Sequence, residues 1–233
     1  MKKIAVIDNS IQARIYNPVS HWSRFLPWPC RSFKAKKKQF PGLKQGFTHF
    51  ILTGSEASIM EREDWVEDEI EFVREIVEKG YPVLGSCYGH QVLALALTGP
   101  AHVQRSPQPE LGWCSIQINT DNEMLGKKGR FQAYTLHFDE VINLDGRFRI
   151  LASTPSCRVH VFRYENSPVW GIQAHPEIDI ESGIKLFQDM AKINSKDAHL
   201  YRKALAANPH DSGKIIPIVD CFCQQIPSRY KAR

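Results

Sequence analysis

Short apolar runs alternate with amphipathic stretches through the first hundred residues of the chain. Strands are predicted at 2–8, 48–54 and 81–86, where apolar side chains cluster in runs of strand length. Helices are predicted at 64–80 and 89–99, where apolar residues recur with the helical period. Because strands and helices alternate along this half of the chain, we expect a parallel, doubly wound sheet.

The pattern changes in the second half. Strand-like runs follow one another with only turn signals between them, which predicts an antiparallel section joined to the parallel sheet. These predicted strands lie at 113–120, 130–136, 147–154, 158–165 and 169–175. A helical pattern returns at residue 180 and continues towards the C-terminus. We therefore expect one α/β domain at 1–193, with a helical extension at 194–233 packed on it.

Charge and cysteine content narrow the function classes. The chain has a net charge of +5, and the segment 31–44 has six basic and no acidic residues. We interpret this segment as a solvated edge strand or loop and expect no nucleic-acid partner, because no nucleic-acid-binding motif accompanies it. We expect no membrane partner, since no apolar run is long enough to span a bilayer. Six irregularly spaced cysteines favour a reducing, cytoplasmic location, and Cys221 and Cys223 lack the further ligands of a zinc site.

The segment GSCYGHQ at 85–91 places a cysteine between two glycines, where a predicted strand meets a predicted helix. A nucleophile on such a sharp turn has a strained backbone, and glycine two positions before and after it avoids clashes with neighbouring backbone. The helix N-terminus favours the thiolate of Cys87, and the N–H of Tyr88 points towards the position of an oxyanion. The alternative is a buried structural cysteine with incidental glycines, so a catalytic reading requires a base.

The histidine best placed to act as that base is His175, in QAHPEI at the end of a predicted strand. Glu177 lies two residues further on, on the same face of an extended segment, and a carboxylate there would fix the imidazole tautomer. Taken alone, HPE is equally consistent with a turn and a capping glutamate. His90 is a rival base, but it lies on the same helix as Cys87 and is poorly placed to reach back to it.

Together, PVLGSCYGHQVLA and GIQAHPE resemble the class I glutamine amidotransferase family. FPGLKQGFTHFILTGSEAS is similar to that family's strand and oxyanion loop, and ELGW at 110–113 is similar to free-standing members akin to the glutaminase part of GMP synthase. The resemblance extends over about 4–178. It makes the domain at 1–193 amidotransferase-like and implies a flavodoxin-like, three-layer α/β fold, whose central sheet is mostly parallel with an added antiparallel section.

The resemblance also implies a role for each member of the predicted catalytic set. Cys87 would be the nucleophile, His175 the general base and acid, and Glu177 the residue that orients the imidazole. This chemistry needs no metal and no redox cofactor.

The resemblance further implies an oxyanion hole and a substrate pocket. The N–H of Tyr88 and one near Gly54 would stabilise the oxyanion; Ser55 stands where the family usually has a second glycine. Gln91 would help to hold bound glutamine, and the segment around His137 would line the pocket, largely through its backbone.

The expected reaction is hydrolysis of the side-chain amide of glutamine through a γ-glutamyl thioester. The chain contains no phosphate-binding loop, so either the ammonia would pass to a separate ATP-dependent synthase subunit, as in the family, or the protein would be a stand-alone hydrolase. Two alternatives stay open. A γ-glutamyl peptidase is favoured by the LTGS sequence of the loop, and a catalytically silent regulatory module could have the same fold.

Overall fold

The computed structural model describes residues 2–227, so the basic end of the chain at 228–233 lies outside the described residues. The strands are β1 Ile4–Asp8, β2 Cys30–Lys34, β3 His49–Leu52, β4 Val83–Ser86, β5 Val103–Ile118, β6 Gly129–Val141, β7 Phe148–Ser153, β8 Val161–Tyr164 and β9 Val169–Ile172. The helices are α1 Pro18–Ser23, α2 Val66–Glu78, α3 Tyr88–Thr98, α4 Ile180–Ile193, α5 Ala198–Ala206 and α6 Ile215–Gln224.

The strands of the described chain form one sheet in the order β2-β1-β3-β4-β9-β8-β7-β5-β6. The first five of these strands are parallel, and the last four are joined through antiparallel pairs. The predicted α/β class is therefore confirmed, including the antiparallel section. Strand β2, which begins the basic segment at 31–44, is the edge strand predicted there.

Two predicted strands start too late or end too early. The one at 113–120 covers only the last part of β5 and runs past its end, and the one at 130–136 covers only the first part of β6. The pairing of β5 with β6 is irregular between Arg105 and Glu110. Pro107 lies in this gap and has no backbone N–H to donate to a neighbouring strand. The irregular stretch interrupts the alternation of apolar and polar side chains, so the first half of β5 is not visible in the sequence pattern.

The hydrophobic core fills both faces of the sheet. Helices α2 and α3 pack on one face, and α6 packs on the other with Trp22 of α1. A third cluster joins β6, α4 and α5 around Tyr134 and Phe187, above the carboxyl ends of the parallel strands. Helices α5 and α6 thus pack on the body of the protein, while the predicted boundary at residue 193 stays a prediction. Within residues 2–227, each helix is too short or too polar to cross a bilayer.

Candidate active site

Cys87 lies at the turn between β4 and α3 with φ of 49° and ψ of −103°, a conformation that residues other than glycine rarely adopt. Its backbone N–H donates to the carbonyl of Ile172 in the neighbouring strand, with an N–O distance of 2.8 Å. The hydrogen bond ties the strained turn to the sheet. The thiol is only slightly exposed and faces a pocket.

Gly85 and Gly89 are required by close backbone contacts at this turn. A Cβ atom on Gly85 would lie 2.5 Å from the carbonyl oxygen of Gly89, and one on Gly89 would overlap the backbone of Leu52. Both contacts would be shorter than a Cβ atom tolerates, so neither position accepts a larger residue without movement of the backbone. The spacing G-x-C-x-G therefore allows the start of α3 to pack tightly on β3 and β4.

His175 and Glu177 lie together beside this turn, as the sequence predicted. The Nδ1 atom of His175 is 2.9 Å from Oε1 of Glu177, whose side chain is fully buried. The backbone N–H of His175 donates to the carbonyl of Tyr134 in β6. Burial alone would lower the pKa of His175, but the charges of Cys87 and Glu177 raise it to about 10. The imidazole thus lies between a thiol and a carboxylate.

Two further hydroxyl groups reach Glu177, and sequence reasoning missed both. The hydroxyl of Tyr16 is 3.3 Å from Oε1 of Glu177 and 3.3 Å from Nδ1 of His175. Ser86 donates to the same oxygen of Glu177 at 3.3 Å. The position of Ser86 beside Cys87 could have drawn attention to it. No signal in the sequence indicates Tyr16, which lies in the loop between β1 and α1.

A cavity of about 190 Å³ opens above Cys87 and His175. The predicted residues Ser55, Tyr88, Gln91 and His137 line it. One wall comes from α4 and α5, with Leu186, Met190 and Tyr201. The structure thus brings most of the predicted site residues to one pocket at the carboxyl edge of the parallel strands.

The loop that follows β3 approaches the imidazole closely. A Cβ atom on Gly54 would lie 2.5 Å from Cε1 of His175, so only glycine allows this approach. The hydroxyl of Ser55 accepts a hydrogen bond from the N–H of Ala57, at 3.0 Å. Ser55 and Tyr88 face the same cavity as Cys87. Their role as oxyanion donors, with that of Gly54, stays a prediction.

Gln91 links α3 to β6. Its amide nitrogen donates to the carbonyl oxygen of Asp139 at 2.8 Å and to Oε1 of Gln173 at 3.3 Å. The amide nitrogen therefore has two protein acceptors, and within residues 2–227 no hydrogen bond to the side-chain oxygen is found. The substrate contact predicted for Gln91 stays a prediction.

His137 has an acceptor on each side of its ring. Its Nδ1 atom is 3.1 Å from the carbonyl oxygen of Asp139, and its Nε2 atom is 3.1 Å from Oε2 of Glu110. Both ring nitrogens therefore already have a protein partner. The ring therefore has no N–H left for a substrate.

Glu110 binds a second histidine as well. Its Oε2 atom lies 3.2 Å from Nε2 of His160, and its other oxygen accepts hydrogen bonds from Ser156 and Thr154. Burial alone would raise the pKa of Glu110, but the hydrogen bonds from His137 and His160 hold it well below its usual range. Sequence reasoning used Glu110 only as part of ELGW and did not connect it with either histidine.

In the described part of the chain, one group of side chains has ligand atoms close enough together to hold a metal ion. It consists of Glu110, His137 and His160. Two histidines and a carboxylate suit zinc. However, each of the three ligand atoms already has a hydrogen-bonding partner within the group, so the contacts can be satisfied without an ion. The expectation that the protein holds no metal stays a prediction.

The rival base and the other thiols lie in different surroundings. His90 is fully buried against Phe162, and burial lowers its pKa to about 3. Burial raises the pKa of Cys114 to about 11, and it raises the pKa of Cys157 as well. These groups therefore lack the environment of an active nucleophile or base at neutral pH.

Comparison with known proteins gives a consistent result. The family model for glutamine amidotransferase class-I matches residues 26–191. One subunit of the glutamine-hydrolysing GMP synthase from Ignicoccus hospitalis is 36% identical over 114 residues, which are 48% of this chain and 60% of that protein. The corresponding protein from Sulfolobus acidocaldarius is 31% identical over 152 residues, 64% of this chain and 78% of that protein. The match to the Ignicoccus protein thus spans less than two thirds of that protein's length.

A solved structure supports the fold. A glutamine amidotransferase from Thermotoga maritima superposes with a TM-score of 0.70 at 19% identity, covering 94% of this chain and 95% of that one. At this level of identity, the likeness concerns the fold alone. Since the family model matches most of the chain, the protein belongs to the class I glutamine amidotransferase family.

Proposed function

We propose that the protein hydrolyses the side-chain amide of glutamine and releases ammonia, with Cys87, His175 and Glu177 as the catalytic set. The observation that carries this proposal is the strained turn at Cys87 beside the buried His175–Glu177 pair. A thiol in that turn and an imidazole oriented by a carboxylate match the needs of acyl transfer. Family membership supports the same reaction.

The reaction would begin with attack of the Cys87 sulfur on the amide carbon. The Nδ1–H group of His175 would donate a hydrogen bond to Glu177. The other ring nitrogen, Nε2, would then exchange a proton with the thiol and with the leaving nitrogen. The imidazolium would protonate that nitrogen, and the C–N bond would break to give ammonia and a γ-glutamyl thioester. A water molecule, deprotonated by the same imidazole, would then cleave the thioester to glutamate and restore the thiol.

Backbone N–H groups would stabilise the negative oxygen of each tetrahedral intermediate. The candidates are those of Tyr88 and of the loop at Gly54 and Ser55, which border the same cavity. In related sites, one such donor lowers the barrier by about 3 kcal/mol. Ammonia would then leave for an acceptor enzyme. The relatives named as subunits of GMP synthase support a separate, ATP-dependent synthase polypeptide in that role.

A γ-glutamyl peptidase is the second candidate. Ser55 occupies the loop beside the cavity and fixes it through its hydrogen bond to Ala57, so the loop is less free than one with two glycines. This difference could favour another leaving group on the same γ-glutamyl unit.

One assay tests both candidates. Wild type and Cys87→Ala are incubated with glutamine and with γ-glutamyl dipeptides, and ammonia and free amino acids are measured. We expect ammonia from glutamine with wild type and none with a folded Cys87→Ala variant. Faster release of amino acids from the dipeptides would establish the peptidase. Equal ammonia release by both proteins would refute the assigned nucleophile, and no release from either substrate by wild type would favour a silent module.

A further inference from the structure

Arg105 introduces a positive charge into the wall of the candidate active site. It is the one lysine or arginine among the described residues that line the cavity with Cys87. Its side chain is 57% exposed, although it pairs with Asp139, which is 5% exposed. A half-exposed guanidinium at a cavity wall is available to a ligand.

Asp139 fixes the position of this guanidinium. Its Oδ1 atom is 3.0 Å from Nη1 of Arg105, while its Oδ2 atom accepts hydrogen bonds from the hydroxyl of Ser58 at 2.6 Å and the N–H of Ile59 at 3.1 Å. Ser58 and Ile59 continue the loop that starts at Gly54. The same carboxylate therefore connects Arg105 to the loop beside the imidazole.

The hydrogen bonds of Arg105 leave part of its guanidinium for a ligand. Its contacts to Asp139 and Ser58 both use Nη1, and among residues 2–227 no acceptor for Nη2 or Nε is found. The guanidinium also lies 5.3 Å from the centre of the Phe138 ring, which limits its rotation. A planar group held in this way, with free N–H donors, suits a carboxylate.

Glutamine presents such a carboxylate at the end opposite its amide. We propose that Arg105 binds the α-carboxylate of the γ-glutamyl substrate and so selects for it. This inference rests on the proposed function, because it assumes that the amide carbon lies at Cys87. The carboxylates of Glu61 and Asp197 line the same cavity and complement the α-ammonium group.

The test compares glutamine with 4-aminobutanamide, which has the same amide and amino group but no α-carboxylate. Ammonia release is measured for wild type, Arg105→Gln and Arg105→Lys. Arg149→Gln serves as the matched control, because Arg149 is an exposed arginine of β7 that contacts Thr120 and does not line the cavity.

For wild type, we expect kcat/KM to be about 10- to 100-fold lower with 4-aminobutanamide than with glutamine. Arg105→Gln loses a similar factor on glutamine, mainly through KM, and no longer distinguishes the two compounds. Arg105→Lys has an intermediate KM, and Arg149→Gln behaves as wild type. If Arg105→Gln does not fold, Arg105→Lys decides, because it keeps a cation beside Asp139; an unchanged KM in that variant overturns the inference.

The inference and the proposed function fail in different ways. If wild type hydrolyses glutamine and the Arg105 variants discriminate against 4-aminobutanamide as strongly as wild type does, the carboxylate contact is refuted and the reaction stands. If wild type releases no ammonia from glutamine, the proposed function is refuted, and the inference is refuted with it.

Discussion

The molecule contains two buried pairs of histidine and glutamate that use similar groups in different ways. In the first pair, His175 contacts Glu177 through Nδ1, and Cys87 is its neighbour on the side of the cavity. In the second pair, His137 contacts Glu110 through Nε2 and the carbonyl of Asp139 through Nδ1. The first histidine has one nitrogen free for proton exchange, and the second has none.

This difference shows that the partner of the second ring nitrogen decides what a histidine can do. A carboxylate on one side orients the ring in both pairs. When the other side faces a thiol, the ring can transfer a proton. When it faces a backbone carbonyl, both ring nitrogens have protein partners and the ring cross-links two strands. Glu177 therefore belongs to the proposed reactive site, and Glu110 belongs to the wall beside it.

Replacement of His175 should have the largest effect. We expect His175→Ala to lower kcat for ammonia release by about 10³-fold or more, since proton transfer to the leaving nitrogen is lost. His199→Ala is the control, because His199 is an exposed histidine of α5. Both variants are assayed for ammonia after circular dichroism has shown that they are folded. If the His175→Ala variant had more than a tenth of the wild-type kcat, the proposed difference between the two histidine–glutamate pairs would be contradicted.

Replacement of Glu110 should mainly affect stability. Glu110→Gln leaves buried donors of His137 or His160 without a charged acceptor, and we expect the free energy of unfolding to fall by about 3 kcal/mol. Urea unfolding measures this loss. Because both ring nitrogens of His137 have protein partners, we expect kcat per folded molecule to fall by less than about 10-fold. A large loss of kcat at unchanged stability would place Glu110 among the reactive groups instead.

The free energy of unfolding should depend on pH through the ionisation of Glu110. The pKa of this carboxyl is lowered in the folded protein, where the hydrogen bonds from His137 and His160 outweigh burial. Its contribution to stability is therefore present above about pH 4.3, the value of an unperturbed glutamate, and is lost as the pH falls below it. Urea unfolding between pH 6 and pH 3 should show a smaller decrease for Glu110→Gln than for wild type. Parallel decreases would contradict the assignment.

Replacement of Tyr16 should have the smallest effect. Tyr16→Phe removes one of the hydroxyl groups that hold Glu177, and we expect kcat to fall by about 2- to 10-fold. Tyr164→Phe is the control, because the Tyr164 hydroxyl is bonded to Arg147 outside the cavity. The rate of ammonia release from glutamine is measured for both variants. If Tyr16→Phe lost as much activity as His175→Ala, the tyrosine would take part in proton transfer itself.

Local sequence patterns were sufficient to place the turn at Cys87 and to indicate the His175–Glu177 pair beside it. The glycines of G-x-C-x-G are needed by backbone contacts close in sequence or in the adjacent strand, and His175 and Glu177 are two residues apart. Glu110 could not be connected with His137 or His160 in advance, because Glu110 lies in β5, His137 in β6 and His160 just before β8, and the three meet only in the folded protein. The irregular, proline-containing stretch before Glu110 also explains why the sequence pattern did not predict the start of β5.

Arg105 and Tyr16 were missed for a related reason. Each reaches the cavity from a segment whose own pattern is uninformative: a proline-rich strand for Arg105 and a loop for Tyr16. Their roles depend on tertiary contacts with Asp139 and Glu177 that have no counterpart in sequence spacing.

Covalent labelling with a glutamine-like electrophile tests the central claim most directly, namely that one imidazole activates one thiol. The protein is treated at neutral pH, and mass spectrometry of its peptides locates the label. We predict one equivalent at Cys87 in wild type, and slow or no labelling of Cys87 in His175→Ala. Label on Cys114 or Cys157, or labelling of Cys87 at an unchanged rate without His175, would contradict the account.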